Sequence, residues 1–317
     1  MESATTLNAP TTLSERALEA FDALNGPQPG FRPAHAKGIL IAGVFTPSPE
    51  AASITRAPHF TRSSTPVTVR FSDFAGIPSV ADDDPEASPR GMAMRFHLAD
   101  HVHTDIIAHS LNGFPARTAE EFVEFLRAIY ASGPGVAKPS PLDRFLAAHP
   151  AALEFVQAPK PMPASFTTLP FFAVNAYRFT NSDGVGRYGR YCIRPDGQSE
   201  YLDSSSAAKA APNYLFDEIG ARLGKGPAKM SILVQLAGKE DIVNDSTIHW
   251  PASRPEIALG ALELRSVLPN NDEEQRHIIF DPIPRVDGID PSDDPLLEAR
   301  ADLYLMSGRR RRAATPR

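Results

Sequence analysis

Thr65-Pro66-Val67-Thr68-Val69-Arg70-Phe71-Ser72 is the stretch on which the fold turns. A β-branched run behind a Thr-Pro pair reads as a short strand, and two similar segments flank it. Upstream, residues 38–45 (GILIAGVF) form a continuous apolar run of strand length. Downstream, residues 91–98 (GMAMRFHL) alternate small or apolar side chains with bulkier ones. An acidic loop, Ala81-Asp82-Asp83-Asp84-Pro85-Glu86, lies between the last two. Further out, strands are expected over residues 171–179, 186–193, 230–235 and 257–264. Asn181-Ser182-Asp183-Gly184 supplies a hairpin turn between the first two of these.

Helices are expected around this strand set. Ser14 can cap a short helix over residues 15–24, with Gly26 as its stop. Thr118-Ala119-Glu120-Glu121 is a capping box opening a helix over 118–132, with Phe122, Phe125, Leu126 and Ile129 on one side. Ser140-Pro141 starts another, to about residue 156. Pro295 starts the last, which runs to about Ser307 and is ended by Gly308. The 31 prolines among 317 residues are close to twice the roughly 5% average and are spread along the chain. Such punctuation favours short strands and long ordered loops over a helical bundle. With no internal repeat or linker, the organisation expected is a flexible arm over residues 1–13 and a single domain over 14–317.

Composition narrows the class. Apolar residues at 42% and charged residues at 22% are a globular mix, and no apolar run approaches the roughly 18 residues a membrane span needs. The first ten residues carry neither a basic start nor an apolar stretch, so they do not read as a secretory signal. Cys192 is the only cysteine, so no disulfide closes within the chain; set in a strand, it reads as a buried inert thiol. Both features point to the cytoplasm. A net charge of −6 gives no electrostatic reason to expect nucleic acid, the local exception being Arg309-Arg310-Arg311-Arg312.

Nine histidines raise the question of a metal. His101-x-His103 with His109 allows a two-ligand site; the plainer reading is a solvated loop carrying surface imidazoles. No glycine-rich phosphate loop, GxSxG or HExxH motif occurs. Two other segments carry more chemistry. Arg32-Pro33-Ala34-His35-Ala36-Lys37-Gly38 puts a histidine directly before an apolar strand. Arg300-Ala301-Asp302-Leu303-Tyr304 puts a guanidinium and a phenol four residues apart, on one face of a helix. A free phenol ionises near pH 10, so a phenolate at neutral pH needs a cation, a metal, or both.

Taken in order, these segments resemble a known family. Arg32-x-x-His35-Ala36-Lys37-Gly38, Thr65 to Ser72, and Pro89-Arg90-Gly91-Met92-Ala93 are similar to the successive distal motifs of haem catalases. Phe280-Asp281-Pro282 and Gly288-Ile289-Asp290-Pro291-Ser292-x-Asp294, followed by Arg300-x-x-x-Tyr304, resemble the stretch that carries the proximal ligand. The resemblance covers residues 30–310 and is closest to the short branch, the catalase-related peroxidases. It implies an α+β fold built on a closed antiparallel β-barrel of about eight strands. Helices 118–132 and 140–156 would pack outside it, and a C-terminal helix would carry the proximal haem ligand.

The same resemblance implies a haem of the b type, with Tyr304 ligating its iron and Arg300 stabilising the phenolate charge. His35 would be the distal histidine, with Ser72 fixing its tautomer. Arg32, Arg70 and, by spacing, Arg311 (Arg309 being the alternative) would neutralise the propionates. Phe114 is expected near the haem approach. The pattern departs from the family at Ser110, which stands where a distal asparagine is expected after Asp105-Ile106-Ile107, and at Ala34, in place of a larger β-branched residue. The implied activity is a peroxidase, reducing hydrogen peroxide or organic hydroperoxides with a small organic donor and having weak catalase activity. Two rivals stand beside it: allene-oxide-synthase-like rearrangement of fatty-acid hydroperoxides, and a non-enzymatic haem carrier or sensor. Family members associate, so a homo-oligomer is a further expectation.

Overall fold

The computed structural model describes residues 12–314. In chain order its strands are β1 Gly38–Pro47, β2 Thr65–Ser72, β3 Gly91–Ala99, β4 Val102–His109, β5 Phe171–Phe172, β6 Tyr177–Thr180, β7 Gly186–Pro195, β8 Ala228–Leu236, β9 Glu256–Val267 and β10 Ile289–Pro291. Its helices are α1 Leu13–Asn25, α2 Ala51–Ile54, α3 Pro58–Thr61, α4 Ala119–Tyr130, α5 Pro141–Ala148, α6 Pro150–Gln157, α7 Ser204–Ala207, α8 Tyr214–Lys225, α9 Asn271–His277 and α10 Pro295–Ala313. Antiparallel pairing runs β1-β2-β3-β4-β5-β7-β8-β9 and returns from β9 to β1, which closes an eight-stranded barrel. β6 and β10 continue the sheet from β7, outside that circuit. None of the described helices is long and apolar enough to cross a membrane.

Register assigns the two faces of β2, β3 and β4. Residues paired across neighbouring strands point the same way, and successive residues alternate. One set of rows, Val67-Phe96-Thr104, Val69-Met94-Ile106 and Phe71-Met92-Ala108, is buried, and all but Thr104 join the main apolar core. Phe71 stacks there on Phe166 at 5.1 Å between centroids. Each such side chain removed from water contributes about 1.5–3 kcal/mol. The alternate rows, Ser72-Gly91-His109, Arg70-Ala93-Ile107 and Thr68-Arg95-Asp105, face outward. The alternation of GMAMRF is thus a division of labour. Methionines and phenylalanine fill the barrel, while Gly91 and Ala93 leave a trough on its outer wall.

Several expectations are corrected. Thr12, not Ser14, caps α1: its hydroxyl accepts from Glu15 N (3.2 Å), and the Glu15 carboxylate accepts from Thr12 N (2.6 Å). The domain therefore already includes Thr12 and Leu13, and the rest of the expected arm, residues 1–11, lies outside the described residues. The helix expected over 140–156 is two, because Pro150 has no N–H to continue α5 and instead starts α6. The strand expected over 171–179 breaks after Phe172, and Asn175 sits buried in the break. α10 does not stop at Gly308; the helix passes so close to Ile279 that no side chain fits there.

The loop reading of the histidine-bearing segment also fails. Residues 102–109 are β4, with His101 in its turn, His103 opposite His97 and His109 at the far end. Among the described residues no cluster of three or more histidine, cysteine or acidic side chains could hold a metal. Cys192 is buried in β7, and burial pushes its thiol up to about 11, as suits an inert residue. Helices α8 and α9 were not anticipated, although Leu215, Ile219 and Leu223 recur every fourth residue along the buried face of α8; α9 buries no residue.

Candidate active site

α10 packs chiefly against α1, with α9 and α4 beside it, and so leaves a cleft between itself and the outer wall of the barrel. One cavity fills this cleft. His35, Ser72, Gly91, Ala93, Ile107 and His109 line it from the barrel side, and Ala299, Arg300, Leu303, Tyr304, Ser307 and Arg311 line it from α10.

His35 sits just before β1 with φ +55°, a left-handed conformation unusual outside glycine. Such backbone costs about 1–2 kcal/mol and persists only where its surroundings hold it. Here they do. His35 N donates to Phe74 O (2.7 Å), Ala36 N to Ala75 O (3.0 Å), and Arg70 Nη2 to His35 O (2.8 Å). The imidazole lies over Gly91, where a Cβ would come within 2.6 Å of Nδ1 and 2.5 Å of Ser72 Oγ. Glycine is required there. Nδ1 is 3.0 Å from Ser72 Oγ, which can accept from it. With the proton on Nδ1, Nε2 keeps a lone pair. Burial, reinforced by Arg70, His109 and Arg32, lowers the imidazole from 6.5 to about 3, so His35 is neutral and able to take a proton.

The acidic loop supports this wall from behind. Asp82 turns inward, where Lys37 Nζ reaches it at 2.5 Å and Leu215 N at 2.7 Å. Arg90 pairs with Asp73 and also bonds the Asp82 carbonyl. Across β3 and β4, Arg95 pairs with Asp105 (2.7 Å), whose carboxylate also accepts from Asp281 N (2.8 Å). That anchors Ile279 and Phe280 on the cavity.

On α10, cavity-lining residues recur at helical spacing: Leu296, Ala299, Arg300, Leu303, Tyr304, Ser307 and Arg311. Asp294 caps the helix, accepting from Leu296 N (3.0 Å). Its other oxygen accepts from Asn175 Nδ2 (2.8 Å), and Asn175 Oδ1 in turn accepts from Arg300 Nη1. Arg300 Nε then donates to Tyr304 Oη at 3.1 Å. Burial works against the Arg300 charge, but Tyr304, Tyr177 and Asp294 outweigh it and hold its pKa above the ordinary value.

Three further cations share one rim. Arg32 donates to the carbonyls of Gln275 (3.1 Å) and Ile278 (3.0 Å), Arg311 to Ile278 O (2.8 Å), and Arg70 Nε to Gln275 Oε1 (2.8 Å). Burial lowers all three: Arg32 well below its usual value with Arg70 and Arg311 adding to it, Arg70 to about 9, and Arg311 to about 10. None forms an ion pair with a carboxylate of the described residues.

His35, Ser72, Arg32, Arg70, Arg300, Tyr304 and Arg311 are therefore brought together as expected, and Phe114 joins them. Arg311 is the buried member of the arginine run. Arg309 is exposed, Arg310 pairs with Asp22 (2.6 Å), and Arg312 bonds the His277 carbonyl. Ser110 is the correction. Its hydroxyl accepts from Arg90 N (2.9 Å) and its own N–H donates to Arg90 O (2.8 Å), so it does not line the cavity. The preceding residue, His109, does. Strand alternation could have found it, had the segment been read as a strand: His109 shares parity with Ile107, and Ser110 lies beyond the strand end. Asn175 and Gln275 were missed because neither carries a sequence signal.

A family model described as Catalase matches residues 8–315. The chain belongs to the catalase family, and with it to the oxidoreductases that act on peroxide. Within that family it is 35% identical over 300 residues to a catalase-related peroxidase of Mycolicibacterium paratuberculosis (strain ATCC BAA-968 / K-10), covering 92% of this chain and 93% of that protein. A catalase-related peroxidase of Synechococcus elongatus (strain ATCC 33912 / PCC 7942 / FACHB-805) is 28% identical, with 92% and 87% covered. In three dimensions it is similar to a fungal catalase (TM-score 0.77, 21% identity, 98% of this chain and 65% of that one). It is likewise similar to catalase A of Saccharomyces cerevisiae (TM-score 0.76, 21% identity, 98% and 67%). It thus spans about two thirds of those longer catalase chains.

The cofactor of this family is haem, and the cavity fits one. Arg70 and Arg311, both buried, and the half-buried Arg32 have no carboxylate partners among the described residues, and Arg311 has an unpartnered Nε; together they match a group bringing two carboxylates to that rim. The apolar walls from Ala93, Ile107, Leu303 and Phe280 match a flat apolar body.

Proposed function

We propose that the protein is a haem b peroxidase, reducing hydrogen peroxide or organic hydroperoxides with a small organic donor and dismuting peroxide only weakly. The observation that carries this is the Arg300–Tyr304 pair sharing one cavity with the His35–Ser72 pair. Tyr304 Oη would hold the iron, its negative charge supported by the Arg300 guanidinium 3.1 Å away. Arg32, Arg70 and Arg311 would hold the propionates. The haem, when bound, supplies the redox-active iron at which the O–O bond is broken. His35 Nε2 accepts the proton of the incoming peroxide and returns it to the departing oxygen, a relay typically worth 10²–10⁴-fold. Ser72 keeps the ring in the tautomer that does this. Leu13, Ala17, Phe21, Phe114, Phe122 and Phe155 line the cavity with apolar side chains, a surface suited to organic hydroperoxides and aromatic donors.

The rival rearrangement reading rested on Ala34 and Ser110, and Ser110 is turned away from the cavity. A cytoplasmic role in removing peroxide is consistent with the single buried thiol. The test is an absorption spectrum of the purified protein before and after peroxide, with and without an organic donor. A ferric haem band that changes with peroxide and is restored by donor is expected. A band unmoved by peroxide would favour a haem carrier, and oxygen evolution at the pace of a full-length catalase would overturn the peroxidase assignment.

A further inference from the structure

α1 closes a third side of the cavity, beside the barrel wall and α10. Leu13, Ser14, Ala17 and Phe21 recur at helical spacing along its inner face and line the cavity. The helix packs chiefly on α4 and α10. Its buried residues Ala17, Ala20 and Phe21 form a small cluster with Val123 and Leu126 of α4, apart from the barrel core. Among the described residues, only Asp22 joins α1 to another element by side-chain hydrogen bonds: Arg310 Nη1 and Nη2 each donate to its carboxylate at 2.6 Å. Both side chains of this pair are about one third exposed. Beyond the helix, Asn25 Nδ2 reaches the Pro33 carbonyl (3.3 Å). Between those two residues, Gly26 (φ +71°) and Gly30 (φ +86°) take left-handed backbone, and a Cβ on either would meet nothing within 4 Å. The link Pro27-Gln28-Pro29 is thus bounded by two glycines in open space. α10 is held more firmly. Asp294 is tied to Asn175 at its start; near its end Gly308 lies against Ile279, Arg276 Nε donates to Arg311 O (3.2 Å), and Arg312 bonds the His277 carbonyl. The barrel wall is fixed by strand pairing. A terminal helix held by a small apolar cluster and one half-exposed ion pair opens at far lower cost than either.

We propose that α1 is a lid, latched to α10 by Asp22 and Arg310 and hinged at Gly26 and Gly30, that opens to let haem into and out of the cavity. A rigid flat molecule needs a wider opening than a peroxide does, and the inner face of α1 gives its apolar body an apolar passage. This rests on the haem reading above. Haem transfer from the holoprotein to an excess of haem-free myoglobin, followed by absorption, is the test. Asp22→Asn and Arg310→Gln should each speed haem loss about threefold to fivefold, the factor a partly exposed ion pair contributes. Exchanging the two charges (Asp22→Arg with Arg310→Asp) should restore most of the original rate, a rescue that general loosening of the fold would not give. Unchanged rates in both single variants overturn the proposal, as does an exchanged pair that loses haem no more slowly than they do. A second readout needs no variant. Hydrogen–deuterium exchange of the unmodified protein should be faster over residues 13–25 than over 119–130 and 295–313, and α1 exchanging no faster than α10 overturns the lid. Absence of a haem band from the purified protein would instead strike the cofactor reading, and the exchange comparison would still decide whether α1 opens.

Discussion

The two walls of the cavity are built by different means. On the barrel side, His35, Ser72, Gly91 and His109 are placed by strand register and backbone hydrogen bonds, and their positions follow from pairings that also define the core. On the α10 side, Tyr304 is placed by a helix that barely touches the strands and is set by a chain of side chains, Asp294-Asn175-Arg300-Tyr304. Rigid register suits proton transfer, which tolerates little displacement. A side-chain relay would suit a phenol proposed to hold a metal, whose electron density would depend on what hydrogen-bonds to it. Substitutions on the two walls should therefore fail differently.

The largest effect is expected from Tyr304→Phe, which removes the only α10 oxygen paired with Arg300. Bound haem should fall sharply or the ferric spectrum should change, with the fold retained by circular dichroism; an unaltered spectrum at full occupancy would dissolve the contrast. His35→Ala should keep haem but slow the stopped-flow reaction with peroxide by about 10²–10⁴-fold. No slowing would show that the barrel wall does not move the proton. Asn175→Ala leaves Arg300 Nη1 and Asp294 without their shared partner. It should cost about 1–3 kcal/mol of stability and shift the ferric spectrum, while the peroxide reaction loses far less than in His35→Ala.

The pH dependence sharpens the barrel side. His35, at about 3, should give a peroxide rate constant without a titration near 6.5, and a midpoint there would contradict its buried, neutral state. Stability carries the matching sign. His35, His59 and His109 are each lowered to about 3, whereas the unfolded chain takes up these protons below about 6.5. Their contribution is present above that pH and is lost progressively as pH falls from about 6.5 to about 3. Denaturation midpoints should drop through this window. The smallest effect belongs to Ser110→Ala, which should cost about 0.5–1.5 kcal/mol by loss of the bond from Arg90 N and leave the peroxide rate within about twofold. A collapse of that rate would restore Ser110 to the site.

The amino-acid sequence by itself determined the local elements and most of the site. β-branched and apolar runs bounded by prolines marked strands, Pro295 marked the last helix, and ordered motifs bearing His35, Ser72, Arg300 and Tyr304 named the chemistry, because these signals are local or fixed by spacing. Only the tertiary structure decided between Ser110 and His109, since one residue of parity on an unrecognised strand separates a side chain in the cavity from one on the backbone behind it. Asn175 was likewise beyond reach. Its task exists only because a break in the 171–179 segment and the capped start of α10, 119 residues apart at Asn175 and Asp294, meet in space. Long-range pairing, closure of the barrel from β9 to β1 and the partnership of buried polar groups are satisfied between distant segments, and no window of sequence holds both partners.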